Sequence, residues 1–214
     1  MKQKHILFDL DGTIVRSDLG ITKGVQKSLE HFGIYEELDD LKKFVGPPMV
    51  ESYTNFYGFS LEQYKEALDV FHDYYRSVGI FECELYEGIE EMLESLSKEY
   101  KLYVATSKPE REAKRVIEHF GLDKYFTFVG GSDGDFNTKR ATKTAVIEYV
   151  LETNKIMHRS FAIMVGDKSH DIAGASNAGL KSVGVLYGYG DLEEFEGANY
   201  IVKNVEDLRD MFLC

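Results

Sequence analysis

The chain has little of what several broad protein classes require. Its 214 residues include two cysteines, Cys83 and Cys214, and neither has a partner at CxxC or metal-ligand spacing. The sequence therefore offers no disulfide framework and no cysteine zinc site, and its cysteine usage suits a reducing compartment. Positive charge is also scarce: 25 Lys and Arg stand against 37 Asp and Glu, a net charge of −12. Long nucleic acid and anionic membrane surfaces both call for a basic patch, so neither is an expected partner. Any phosphate handled by this chain has to be held by local positive charge. The N-terminus, MKQKHILFDLDGT, has four apolar residues before its acidic pair, too few for a signal-peptide core or a transmembrane span. No internal repeat or low-complexity segment occurs. The expectation is a soluble cytoplasmic protein, monomer or homodimer, acting on something small.

What is present begins with Phe8-Asp9-Leu10-Asp11-Gly12-Thr13, directly after the apolar run His5-Ile6-Leu7-Phe8. Two carboxylates two residues apart stand where a buried strand ends. In a strand such residues share a face, so Asp9 and Asp11 are expected to converge on one ligand, and Gly12 lets the chain turn away.

The pattern after this point is helical. Thr22 is suited to cap a helix carrying Val25, Leu29 and Phe32, ended by Gly33. Val50, Tyr53 and Phe56 share a helical face, and Leu61, Tyr64, Leu68, Phe71, Tyr75 and Val78 predict one long amphipathic helix. Phe44-Val45-Gly46-Pro47-Pro48, with the only adjacent prolines, marks a stiff loop between helices. Helical spacing assigns the aromatics Tyr53, Phe56, Tyr57, Tyr64, Phe71, Tyr74 and Tyr75 to core packing, with stacking on a nucleobase as the alternative.

From residue 86 helices alternate with apolar strands. Ile89, Met92, Leu93 and Leu96 form a helical face, and Leu102-Tyr103-Val104-Ala105 reads as a strand ending in Thr106-Ser107-Lys108-Pro109. Pro109 suits the first turn of the next helix. A strand at 126–129 leads to Gly130-Gly131-Ser132-Asp133, and Lys143 precedes another helix. Phe161-Ala162-Ile163-Met164-Val165 ends in Gly166-Asp167. A helix over 169–178, a strand at 182–186 and a short last strand and helix follow.

This alternation predicts an α/β fold, a Rossmann-like parallel sheet with helices on both faces. Ligands in such sheets bind beyond the carboxyl ends of the strands, where Asp9, Thr106 and Asp167 all fall. The expected organisation is a discontinuous core, 1–14 and 86–214, with a helical cap domain, 15–85, inserted.

Gly166-Asp167-Lys168-Ser169-His170-Asp171 supplies a second acidic pair, with Asp171 one helical turn beyond Asp167. With Asp9 and Asp11 this makes an oxygen donor set suited to Mg2+, while the lack of a His/Cys cluster argues against zinc. A calcium loop fits poorly at Asp9, because Gly12 comes too early. At Asp133, Asp135 and Asn137 it also fits poorly, because Thr138 and Thr144 replace the required Gly and Glu. Thr106 and Ser107 offer a hydroxyl and backbone amides at a helix N-terminus, a place where phosphate is bound, with a plain N-cap as the alternative. Among Lys108, Lys139, Arg140 and Lys143, spacing alone does not choose the cation that would neutralise it.

These four motifs resemble those of the haloacid dehalogenase superfamily of phosphatases, nearly end to end. The matches are Asp9-Leu10-Asp11-Gly12-Thr13, Thr106-Ser107-Lys108-Pro109, Lys143, and Gly166-Asp167 through Asp171. The helical cap, the loop around Gly46 and the tail Val185-Leu186-Tyr187-Gly188-Tyr189-Gly190 are similar to the phosphoglycolate phosphatase-like branch, some of whose bacterial members act as 5′-nucleotidases. The resemblance implies an Mg2+-dependent phosphatase with Asp9 as nucleophile and Asp11 as acid and base. It places Mg2+ on Asp9, the Asp11 backbone carbonyl and Asp167, with Asp171 completing the metal shell or orienting Lys143. Thr106, Ser107, Gly12 and Gly46 are the implied substrate-binding residues and Lys143 the active-site lysine, with Lys139 as fallback. A sugar phosphomutase shares these motifs, and a receiver-like phospho-acceptor module is the non-enzyme alternative. Asp11 and the large cap argue against that module.

Overall fold

The computed structural model describes residues 4–47, 49–134 and 139–213. The chain divides into two compact units, one of Met1–Val15 with Leu85–Cys214 and the other of Arg16–Glu84.

The first unit is built on a six-stranded sheet. Strand β1 (His5–Phe8) is followed by the short β2 (Val15–Arg16), which pairs with β3 (Glu84–Leu85) where the chain passes between the units. The inserted stretch is thus bounded by two two-residue strands as well as helices, too short to leave a pattern in the sequence. Beyond β3 come α4 (Ile89–Ser97), β4 (Lys101–Pro109), α5 (Glu110–His119), β5 (Phe126–Ser132) and α6 (Lys143–Thr153). The unit ends with β6 (Ala162–Gly166), α7 (Ser169–Asn177), β7 (Lys181–Val185), β8 (Tyr200–Val202) and α8 (Val205–Leu213). The strand order is β5-β4-β1-β6-β7-β8, with parallel pairing throughout.

Strand β1 lies between β4 and β6, with Phe8 in register with Val104 and Val165. Its residues Ile6, Leu7 and Phe8 are fully buried, as in a central parallel strand covered on both faces, while His5 at its start is half-buried. Leu7, Tyr103, Ala105 and Met164 pack with Val146, Ile147 and Val150 of α6 and Ala175 of α7. Each large apolar side chain buried this way contributes about 1.5–3 kcal/mol. The phenol of Tyr103 shares a hydrogen bond of 3.1 Å with His5 Nδ1. The carboxyl ends of β1, β4 and β6 are side by side, which sets the place where polar residues are brought together.

The second unit contains α1 (Asp18–His31), a 3-10 segment (Leu38–Phe44), α2 (Met49–Tyr57) and α3 (Leu61–Tyr75). Helix α1 starts earlier than its expected cap: Thr22 is inside it, and its hydroxyl donates to the Asp18 carbonyl at 2.7 Å, a helix-interior use of threonine. Helix α3 begins with a Ser60/Gln63 capping box and stops at Tyr75, so Val78 falls beyond it and is exposed. The helices approach closely at Gly24, where a Cβ would come within 2.7 Å of the Phe71 ring. Tyr53, Tyr64, Phe71 and Tyr75 are buried in the unit's own core, where Tyr53 stacks on Phe59 with centroids 5.5 Å apart. Phe56 and Val50 depart from the expected face and are exposed, Phe56 at 44%.

Candidate active site

The chain leaves β1 at Asp9, whose amide still donates to Val165 O at 2.8 Å. It then turns sharply, with the Gly12 amide donating to Val15 O at 2.8 Å. The strand ends before the turn, so strand alternation does not set the directions of the Asp9 and Asp11 side chains. Their carboxylates have different lysine partners.

Asp9 Oδ1 is 2.9 Å from Lys143 Nζ and accepts the Leu10 amide at 2.8 Å. Lys143, the first residue of α6, is also 2.8 Å from Asp171 Oδ1 and donates to the Ala105 carbonyl at 3.2 Å. It is held inside the fold because Gly174 leaves room for it: a Cβ there would come within 2.7 Å of Lys143 Cγ. Burial opposes the lysine's charge, but the carboxylates of Asp171 and Asp9 outweigh it and raise its pKa. Lys139, by contrast, is exposed and donates its amide to Asp133.

Asp167 follows β6 at the same edge. Its Oδ2 accepts the Tyr189 amide at 2.9 Å and its Oδ1 the Thr13 hydroxyl at 3.4 Å. Three glycines surround it. A Cβ on Gly12 would come within 2.1 Å of Asp167 Oδ2, one on Gly188 within 2.3 Å of Asp167 Cβ, and one on Gly190 within 1.9 Å of Asp167 O. Gly12 also stands at φ +82°. Gly12→Ala is therefore expected to lower unfolding stability by at least about 1–2 kcal/mol from the left-handed backbone alone, measurable in denaturant melts. Asp171 is fully buried in the first turn of α7 and accepts the Lys168 amide at 3.1 Å.

Asp9, Asp167 and Asp171 form one buried cluster, with a ligand oxygen from each within 4.8 Å of the others. Burial raises the pKa of Asp9 to about 6, against the pull of Lys143 and with the help of Asp171. Burial, Asp171 and Asp9 together push Asp167 well above the usual carboxylate range. The three clustered carboxylates bring more negative charge than Lys143 between them offsets, and their all-oxygen donors fit a hard divalent cation.

Asp11 stands apart from this cluster. Its two oxygens accept from Lys108 Nζ at 2.7 and 3.0 Å. Thr106 is buried and its hydroxyl accepts the Lys108 amide at 3.2 Å. Thr106 and Ser107 are not at a helix N-terminus: β4 continues to Pro109 through a register shift, and Pro109 is the extended cap residue before α5. The continued pairing of Pro109 with Ser132 holds this segment as strand. Gly46 belongs to the other unit, at φ +106° after the 3-10 segment. Asp133 is described, whereas Asp135, Asn137 and Thr138 of the calcium-like run lie outside the described residues.

Sequence reading left two features without a role. One is the Lys108–Asp11 pair, hidden among four basic candidates. The other is the cradle of Asp167, signalled only by the alternating glycines of Tyr187-Gly188-Tyr189-Gly190. The Tyr187 hydroxyl adds a bond to Thr13 O at 3.0 Å, and Glu194 ties the start of α7 by accepting from Lys168 Nζ at 2.7 Å and from the Ser169 amide at 3.2 Å.

A family model of haloacid dehalogenase-like hydrolases matches residues 6–185. A 5′-nucleotidase of Pseudomonas aeruginosa is 37% identical over 91% of this chain and 87% of its own length. A phosphoglycolate phosphatase of Vibrio parahaemolyticus is 27% identical over 97% and 95%. The crystal structure of a predicted phosphatase from Clostridium acetobutylicum is 43% identical, covering 100% of this chain and 99% of that one with a TM-score of 0.94. On the match across most of its length, the chain belongs to the haloacid dehalogenase-like hydrolase family.

Proposed function

We propose that this phosphoric monoester hydrolase acts on small phosphorylated metabolites through a phospho-enzyme intermediate on Asp9. The observation that carries the reading is the buried Asp9 carboxylate, held by Lys143 among Asp167 and Asp171 while Asp11 is held separately.

Asp9 attacks phosphorus, and the bond from phosphorus to the ester oxygen breaks as the new P–O bond forms. Asp11 gives its proton to the departing alcohol oxygen, then takes one from the water that attacks the aspartyl-phosphate. That second attack breaks the bond to Asp9 and releases inorganic phosphate. Lys143 orients Asp9 and, with the Thr106 hydroxyl and the Ser107 amide, neutralises the phosphoryl oxygens. Asp9, the Asp11 backbone carbonyl, Asp167 and Asp171 are the residues that would hold Mg2+, which would supply the charge that lets an anionic nucleophile meet an anionic phosphate. The role proposed for the second unit, residues 16–84, is substrate selection, with Gly46 as its candidate substrate-binding residue.

The substrate is proposed to be a short phosphate ester of the phosphoglycolate type. Nucleoside 5′-monophosphates are the second reading, favoured by the similarity to the 5′-nucleotidase. A panel of phosphoglycolate, nucleoside monophosphates and sugar phosphates, assayed with Mg2+, ranks them. No turnover of any phosphate ester would overturn the proposal.

Metal dependence has its own expected result. Chelation by EDTA abolishes turnover, and Mg2+ restores it. A carboxyl whose folded pKa exceeds its unfolded value contributes stability at low pH and loses it as pH rises through the folded value. For Asp9 that loss falls between about 3.8 and about 6. Mg2+ binds the ionised forms, so its increase in Tm is expected to be larger at pH 8 than at pH 5 in calorimetry. An equal or smaller increase at pH 8 contradicts the assigned site.

A further inference from the structure

We infer that Lys108 is a positioning residue for Asp11, an inference that rests on the acid–base role proposed for Asp11. Lys108 Nζ reaches both carboxylate oxygens, at 2.7 and 3.0 Å, from a side chain only 6% exposed to one 13% exposed. A buried ammonium shared by both oxygens holds the carboxyl group in place through the whole of its polar end. The backbone at Asp11 makes only an isolated bridge to Val15, closed by the Gly12 amide on Val15 O, and lies outside the six-stranded sheet.

Lys108 is itself firmly placed. Its amide donates to the Thr106 hydroxyl at 3.2 Å, and Gly131 lies against its carbonyl so closely that a Cβ would come within 2.5 Å. The register shift of β4 against β5 falls between Ala105 and Pro109. The same irregularity thus carries the two phosphate-binding candidates, Thr106 and Ser107, and the lysine that reaches Asp11. Lys143 is occupied with Asp9 and Asp171. The two lysines divide the two opening aspartates, one holding the nucleophile and the other the proton donor.

Leaving-group dependence tests this. An alkoxide needs its proton as it departs, while a nitrophenolate leaves as a stable anion, so a residue acting through Asp11 matters more for an alkyl ester. kcat/KM reports the steps up to transfer of the phosphoryl group to Asp9 and not the later hydrolysis. Lys108→Met is expected to lower kcat/KM for ethyl phosphate about 100-fold, the scale on which a misplaced catalytic group loses rate. For p-nitrophenyl phosphate the loss is expected to be at most one tenth as large. Lys108→Arg, which keeps a donor to both oxygens, recovers most of the ethyl phosphate rate. In an Asp11→Asn background Lys108→Met brings no further selective loss.

Equal losses on the two esters, or the same selective loss without Asp11, overturn the inference. Should Lys108→Met fail to fold, Lys108→Gln and Lys108→Arg carry the same comparison. Wild-type protein inactive on both esters would sink the parent reading together with this one. Wild-type Mg2+-dependent turnover with equal losses would sink this one alone.

Discussion

Asp9→Asn is expected to abolish turnover, on the order of 10^4-fold or more, as when the nucleophile of a concerted catalytic set is removed. An amide oxygen keeps the shape of the side chain but lacks the charge and electron pair that attack phosphorus. The fold is expected to survive the change. Burial is the largest influence on this carboxyl and raises its pKa to about 6, so a neutral isostere removes a poorly solvated charge. Lys143 retains Asp171 at 2.8 Å. The metal-free variant should therefore melt at the wild-type temperature or higher, while its rate on p-nitrophenyl phosphate with saturating Mg2+ falls to background. Mass spectrometry of the wild type quenched in acid should reveal a phospho-adduct that the variant lacks. Full activity in Asp9→Asn would remove Asp9 from the chemistry and the proposed mechanism with it.

Lys143→Met is expected to damage both stability and rate. The wild-type ammonium is the cation between Asp9 and Asp171 and also donates to Ala105 O. Methionine fills similar space but leaves buried carboxylates without their partner, and breaking such a pair costs about 3–5 kcal/mol. The loss in kcat should be about 10^2- to 10^3-fold, the scale for removing one preorganised charge stabiliser. Chemical denaturation measures the first effect and steady-state kinetics the second. The destabilisation should shrink towards pH 5, because the stranded Asp9 carboxyl, its pKa already raised by burial, can then take up a proton. Added Mg2+ should recover part of the stability but not the rate. Lys143→Arg is not expected to rescue the site, since a planar guanidinium does not reproduce a compact ammonium placed between two carboxylates and a carbonyl. A variant as stable and active as wild type would mean that Lys143 only fills space.

Local signals survived in the sequence where one element carried them. The apolar strands alternating with helices were legible as a parallel α/β fold, because a strand buried on both faces has to be apolar at every position. Asp9 and Asp167 were legible for the same reason: each breaks an apolar run where a strand ends. Element ends were less legible. Thr22 has the chemistry of a cap, yet its hydroxyl bonds back within α1, and Val78 continues a periodicity that the chain abandons after Tyr75. Local propensity does not record which tertiary contacts stop or extend a helix.

By itself, then, the sequence determined the layered fold, the positions of the acidic motifs at strand ends and their oxygen-rich donor set. These follow from residue type and period, which act over a few neighbours. Only the tertiary structure decided which lysine joins which aspartate: Lys143 reaches Asp9 from 134 positions away and Lys108 reaches Asp11 from 97. It also decided that Gly12, Gly188 and Gly190 enclose Asp167. Such pairings depend on strand order and on register shifts such as the one at the end of β4. Those are properties of packed elements, and neither has a signature at the residues that are brought together.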